Sequence, residues 1–204
     1  MIKQTEKIDV SRETYSKLEI FQNMVLEWNN KFNLISKSSA EDIWNRHILD
    51  SLQLLNFIDD QSEKLYDFGS GAGFPGMVLA IATKEKFPNL KISLIESIHK
   101  KTIFLNEVKT KFKIDVDIYN ERVENLRIPK ADIITSRAMA SLEKLLNYAH
   151  TLCKKETKLL FLKGKTWEEE IKVAQLKWKF DCEAFESITD KNGRILLIKN
   201  IRRK

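Results

Sequence analysis

Three shortages in this 204-residue chain each exclude a class of protein. Its two cysteines, Cys153 and Cys182, form no CxxC pair and no Cys/His ligand spacing, so reduced, partly buried thiols are expected rather than a disulfide framework or a zinc site. Long apolar runs are missing. "MVLAIA" and "LLFL" fall far short of the roughly 18 to 20 residues a membrane span requires, and "MIKQTEKIDVSRETYSK" lacks the apolar core of a secretory leader. A cytoplasmic protein is expected. Glycine is scarce as well, at six residues, and no Pro/Gly/Ser linker, repeat or low-complexity tract divides the chain. The length and 43% hydrophobic content suit one core with an appendage, and no surface stripe calls for a partner helix, so a monomer is the default.

Charge is present but uneven. Residues 1–60 hold 7 Lys/Arg against 10 Asp/Glu, leaving 28 against 19 for residues 61–204. A net charge of +6 concentrated in the larger part suits a polyanionic partner, because clustered cations displace counterions from phosphates; a merely solvated lysine-rich face is the competing reading.

The hydrophobic rhythm divides the chain near residue 60. In "SRETYSKLEIFQNMVLEWNNKFNLIS" the apolar positions Leu18, Phe21, Val25 and Trp28 follow helical spacing behind a candidate cap at Ser11. A second helix is expected across "SSAEDIWNRHILDSLQLLNF", capped by Ser39, with Ile43, His47, Leu54 and Phe57 near one face. From residue 64 onward short apolar runs alternate with helical stretches, which predicts a doubly wound α/β sheet. "KWKFDCEAFES" and "RILLIKN", separated by a segment carrying Asn192-Gly193, predict an antiparallel strand pair closing it. The expected division is an N-terminal helical extension at 1–60, packed on a domain at 61–204.

Four of the six glycines fall in "DFGSGAGFPG", residues 67–76, at the junction of a predicted strand and helix. Glycine there admits positive φ and close backbone approach to a ligand, and the helix N-terminus adds free N–H groups. Two registers compete. Gly71-x-Gly73-x-x-Gly76 with Glu96 twenty residues on matches a dinucleotide fingerprint and would make the chain an NAD-dependent oxidoreductase. Asp67-x-Gly69-x-Gly71-x-Gly73 matches the loop of S-adenosylmethionine methyltransferases, in which the acid faces the methionine end of the cofactor. Glu96 suits either, since a carboxylate accepts from two ribose hydroxyls. A Walker loop is excluded, because Leu159 stands where "KGKT" would need its first glycine. Val123 and Glu124, after the third strand of this part, are placed to lie against an adenine.

"NLIS" at 33–36, "RHILDS" at 46–51, "DFGSGAGFPG", "IES" with "KKTIFL", "RVE" at 122–124, "SRA" at 136–138 and "LKGK" at 162–165 stand in the order found in the bacterial 16S ribosomal RNA guanine-N7 methyltransferases, also called glucose-inhibited division protein B. The chain resembles that family over roughly residues 25–200, with Lys100-Lys101 where the family has Lys-Arg. The resemblance implies a class I, Rossmann-like fold with a seven-stranded, mostly parallel sheet and an N-terminal helical extension. It also implies methyl transfer from S-adenosylmethionine to N7 of a guanosine in the 530 loop of small-subunit RNA, and cofactor contacts on Gly69, Phe74, Val123, Glu124 and Arg137.

Guanine N7 carries a lone pair and no proton, so no obligatory general base is expected and alignment should dominate. Arg137, at the end of "ADIITS", is the first candidate, either on the cofactor carboxylate or on guanine O6; a structural ion pair is the plainer alternative. His47 and Asp50, three apart on the second helix, could stand beside the pocket. Lys100, Lys101, Lys163 and Lys165 are candidate phosphate contacts, and no metal is expected.

Overall fold

The computed structural model describes residues 3–4, 8 and 10–204; the N-terminal stretch without the apolar core of a leader falls partly outside them. Among the described residues eight strands form one sheet: β1 (Lys3–Gln4), β2 (Lys64–Phe68), β3 (Lys91–Ile95), β4 (Val116–Tyr119), β5 (Ala131–Arg137), β6 (Cys153–Lys163), β7 (Trp178–Glu186) and β8 (Arg194–Arg203). Their order is β1-β7-β8-β6-β5-β2-β3-β4. The seven expected strands are β2–β8, and the eighth is a two-residue edge strand parallel to β7. β8 runs antiparallel to β6 and β7, while β2–β6 pair in parallel. Apolar strand interiors such as Leu65–Phe68 and Ile92–Ile95 are buried, as a sheet covered on both faces requires.

The described residues also form seven α-helical segments: α1 (Arg12–Phe32), α2 (Lys37–Ala40), α3 (Asp50–Leu52), α4 (Gly76–Thr83), α5 (His99–Phe112), α6 (Leu142–Ala149) and α7 (Trp167–Ala174). Ser11 caps α1 by accepting from the Thr14 N–H at 3.1 Å, and Leu18, Phe21 and Val25 are fully buried along one stripe. That stripe lies over α4, whose residues are buried all round. The Phe21 ring packs against Phe74 at 5.5 Å and Phe104 at 6.3 Å, so the N-terminal helix shares a core with α4 and α5. The opposite face of the sheet is covered by α6 and α7, packed on Phe68, Ile134 and Phe161.

The second N-terminal helix is not continuous. Ser36, rather than Ser39, caps α2, with the Ser39 N–H donating to Ser36 Oγ at 3.2 Å. A π-helical turn follows at Trp44–Leu49, leading through α3 into a 3₁₀ turn at Gln53–Phe57. The Asp50 N–H reaches back five residues to the Asn45 carbonyl. This wider turn separates residues three apart further round the axis than an α-helix does. His47 consequently lies on the Phe74 ring, with centroids 4.6 Å apart, while Asp50 faces Arg137. The β7–β8 hairpin is present, but its reversal spans residues 187–193, because Ser187 and Thr189 both donate to Asp50 Oδ1 at 3.0 Å.

Candidate active site at the switch point of the sheet

Strand order reverses between β2 and β5, and a doubly wound sheet receives ligands in the crevice beyond its carboxyl ends there. The glycine loop fills one side of that crevice. Gly69 and Ser70 donate to the Ile95 carbonyl at 2.9 and 3.1 Å, which ties the loop to the end of β3. Asp67 is fully buried and closes the loop from within: Oδ2 accepts from the Gly76 N–H at 3.0 Å and Oδ1 from the Thr135 hydroxyl at 2.9 Å. Burial pushes its carboxyl up to about 7 against these donors. The glycines divide the work. A Cβ on Gly76 would run into Leu94 and the Asp67 side chain, so that position serves helix–strand contact. Gly71, at φ 58, meets nothing nearer than the Gly69 carbonyl at 3.8 Å and presents open backbone.

A cleft of about 350 Å³ lies beside the loop, lined among others by Gly69, Glu96, Lys101, Val123, Glu124 and Met139. Glu96 is buried with Oε2 on the Gly71 N–H at 2.9 Å and Oε1 on the Ile98 N–H at 2.7 Å. Each oxygen keeps a second lone pair for a hydroxyl. Adjoining it is a second pocket of about 540 Å³, lined by Arg46, Asp50, Arg137, Met139, Lys163 and Arg194 among others. Ala138 and Met139 line both spaces. Ala138 stands at φ 51 just beyond β5, a left-handed conformation that costs an alanine about 1–3 kcal/mol and persists only where the surroundings enforce it.

Arg137 and Asp50 form an ion pair at 3.3 Å with side chains only 17% and 13% exposed. Burial lowers the arginine's pKa and raises the aspartate's, and each partner's charge opposes the other's shift. The pair lacks hydrogen-bond alignment, so the buried Nη1 of Arg137 has an ionic neighbour but no acceptor. His47 is similarly underused: both ring nitrogens are buried without a partner among the described residues. Burial first, then the charges of Arg137 and Arg46, hold its pKa near 3, which leaves the ring neutral at physiological pH. Such buried orphans cost about 1–3 kcal/mol each and call for an explanation.

Several residues singled out in the sequence therefore come together and others do not. Gly69, Glu96, Val123 and Glu124 line the cleft, whereas Arg137 and Asp50 line the adjoining pocket. Asp67, Gly73 and Phe74 stand behind these walls. Asp67 faces the loop interior, a Cβ on Gly73 would meet Met77, Phe21 and Leu105, and Phe74 is buried between Phe21 and His47. Lys163 is not a free surface cation, because its Nζ donates to the Ala140 carbonyl and to Glu170, both at 2.8 Å, with the side chain 8% exposed. Lys165 is exposed, and Lys100 lies over the Phe32 ring at 5.6 Å. Met139, Arg46 and Glu170 escaped the sequence reading; the only signal for Met139 was its place directly after "SRA". The thiols of Cys153 and Cys182 are pushed up by burial to about 12 and 11, well outside the reactive range. Among the described residues no helix is long and apolar enough to cross a membrane.

The strand order, the glycine loop on β2 and the acid at the end of β3 are those of the class I methyltransferase fold. Solved structures agree on that fold: the ribosomal protein L11 methylase of Lactobacillus delbrueckii subsp. bulgaricus superposes with a TM-score of 0.57 at 15% identity, covering 76% of this chain and 77% of that one. A mitomycin 7-O-methyltransferase gives 0.62 at 13% identity over 93% and 69%. The family model for rRNA small subunit methyltransferase G matches residues 14–200. Curated relatives carrying the name ribosomal RNA small subunit methyltransferase G include one from Rickettsia prowazekii, 43% identical over 94% of this chain and 97% of its own length. Another, from a Ruegeria species, is 36% identical over 97% and 96%. The chain belongs to the rRNA small subunit methyltransferase G family, which decides between the two glycine registers in favour of the methyltransferase reading.

Proposed function

We propose that the protein methylates N7 of a guanosine in the 530 loop of small-subunit ribosomal RNA, with S-adenosylmethionine as donor. The observation that supports this best is the pair of spaces meeting at one two-residue wall, Ala138–Met139, since a transfer between two bound molecules needs two adjoining sites. The cleft fits the cofactor: Gly69 brings backbone to its wall, Glu96 has lone pairs left for ribose hydroxyls, and Val123 offers an apolar surface for adenine. Bound there, S-adenosylmethionine supplies a methyl carbon on a sulfonium, so the C–S bond breaks as the purine nitrogen bonds to carbon, and the electron pair stays on sulfur.

The chain's own task is alignment, which can supply roughly 7–11 kcal/mol. No proton leaves N7, in keeping with a site whose histidine, its pKa held near 3 by burial, is a weak base. Arg137 lines the acceptor pocket and not the cleft, so of its two possible partners guanine O6 is the better one. Lys100 and Lys165, both exposed, hold flanking phosphates, whereas Lys101 stands at the cleft. The enzyme works as a cytoplasmic monomer. Incubation with the donor and small-subunit RNA or particles, followed by chemical cleavage at N7-methylguanosine, should place one new break in the 530 loop; methylation at another atom or another loop would refute this reading.

A further inference from the structure

Met139 has an unusual setting. The β2–β5 register places Ser136 opposite Phe68, with the Ser136 hydroxyl donating to the Phe68 carbonyl at 2.9 Å, so the next residues of β5 abut Gly69. Ala138 then takes its left-handed turn, and Met139 lies across the glycine: its Cγ, Cβ and Sδ would stand 2.7–3.1 Å from a Cβ built there. The far side of this segment is pinned. Lys163 holds the Ala140 carbonyl, and Glu170 accepts from the Leu142 N–H at 2.7 Å. The backbone is thus fixed at both ends while the Met139 side chain, 36% exposed, borders both the cleft and the acceptor pocket.

Resting on the function proposed above, we propose that Met139 is a movable divider between the two spaces and a positioning residue for the acceptor base. It rests on Gly69 in the free protein. An entering purine displaces it, and its thioether then packs on the purine face, holding N7 in line with the cleft. Methionine suits this role because it is unbranched, turns about three bonds and makes favourable sulfur–aromatic contacts. The pinned backbone limits the movement to the side chain, so the wall is restored when product leaves. Lys163 thereby acts at second hand, by holding the segment that carries Met139.

Met139→Ala and Met139→Leu test this with three readouts: S-adenosylhomocysteine affinity by calorimetry, thermal unfolding, and steady-state methylation of small-subunit particles. Met139→Ala should leave cofactor-product affinity within about threefold and the melting temperature nearly unchanged, while lowering kcat/KM at least tenfold through a loosely held base. Met139→Leu, which keeps the bulk and much of the flexibility, should recover most of that loss. Full activity in Met139→Ala overturns the proposal, and so does a parallel tenfold loss of S-adenosylhomocysteine affinity, which would make Met139 simply a cofactor wall. If the unmodified protein forms no N7-methylguanosine, the functional reading fails instead, before any variant is compared.

Discussion

Replacing Asp50 should reveal how the N-terminal segment is joined to the acceptor pocket. Its two oxygens have separate partners: Oδ1 accepts from Gln53 Nε2 at 2.6 Å and from Ser187 and Thr189, whereas Oδ2 faces Arg137. Asp50→Asn can keep the Oδ1 acceptor but sets an amide N–H against the guanidinium. Breaking one side of a buried ion pair costs about 3–5 kcal/mol. The unaligned 3.3 Å contact argues for less, so about 2 kcal/mol is expected for Asp50→Asn and about 3–4 kcal/mol for Asp50→Ala, which also strips the hairpin hydroxyls of their acceptor. At about 2–4 °C per kcal/mol for a chain of this size, the melting temperature should fall by about 4–8 °C and 6–16 °C respectively. Scanning calorimetry on both variants is the assay. Melting temperatures within 1 °C of the parent for both would refute the reasoning, as would a larger fall for asparagine than for alanine.

Other substitutions test neighbouring parts of the account. The folded pKa of Asp67 is raised to about 7 by burial, so its contribution to stability is full below about pH 4 and is lost as pH rises to 7. Denaturant titrations should therefore show the parent gaining on Asp67→Asn as pH falls from 7 to 5. His47→Phe removes two partnerless buried nitrogens and keeps a ring against Phe74; the denaturant midpoint should rise, by about 1 kcal/mol in stability, and a fall would show that the nitrogens have partners in solution. Lys163→Ala should destabilise the fold by removing the cation shared by Glu170 and the Ala140 carbonyl. Lys165→Ala should leave stability alone and reduce the salt dependence of RNA binding by about one phosphate contact; equal effects from the two lysines would contradict the distinction drawn between them.

Periodicity and composition carried most of the fold. The stripe through Leu18, Phe21 and Val25, the alternation after residue 64 and the antiparallel close are all local patterns, and each is found where expected. The break at Trp44–Leu49 was hidden, because an inserted π turn leaves every residue type compatible with an ordinary helix and shows in the wider backbone turn, as in the Asp50-to-Asn45 hydrogen bond. At the site, Gly69 and Glu96 were legible because a glycine loop at a strand end has few other uses. Lys163 read as a surface cation because its partners, Ala140 and Glu170, come from elements that meet only in three dimensions. Met139 had no polar chemistry to mark it; its significance arises from the register of β5 on β2 and the left-handed turn at Ala138.

A crystal structure with S-adenosylhomocysteine bound tests the arrangement of the two spaces most directly. The account predicts the ligand in the cleft, its ribose on Glu96 and its adenine against Val123, with Arg137 left facing the acceptor pocket. Ligand bound across Arg137 and Lys163 instead, or away from Glu96 altogether, would contradict it.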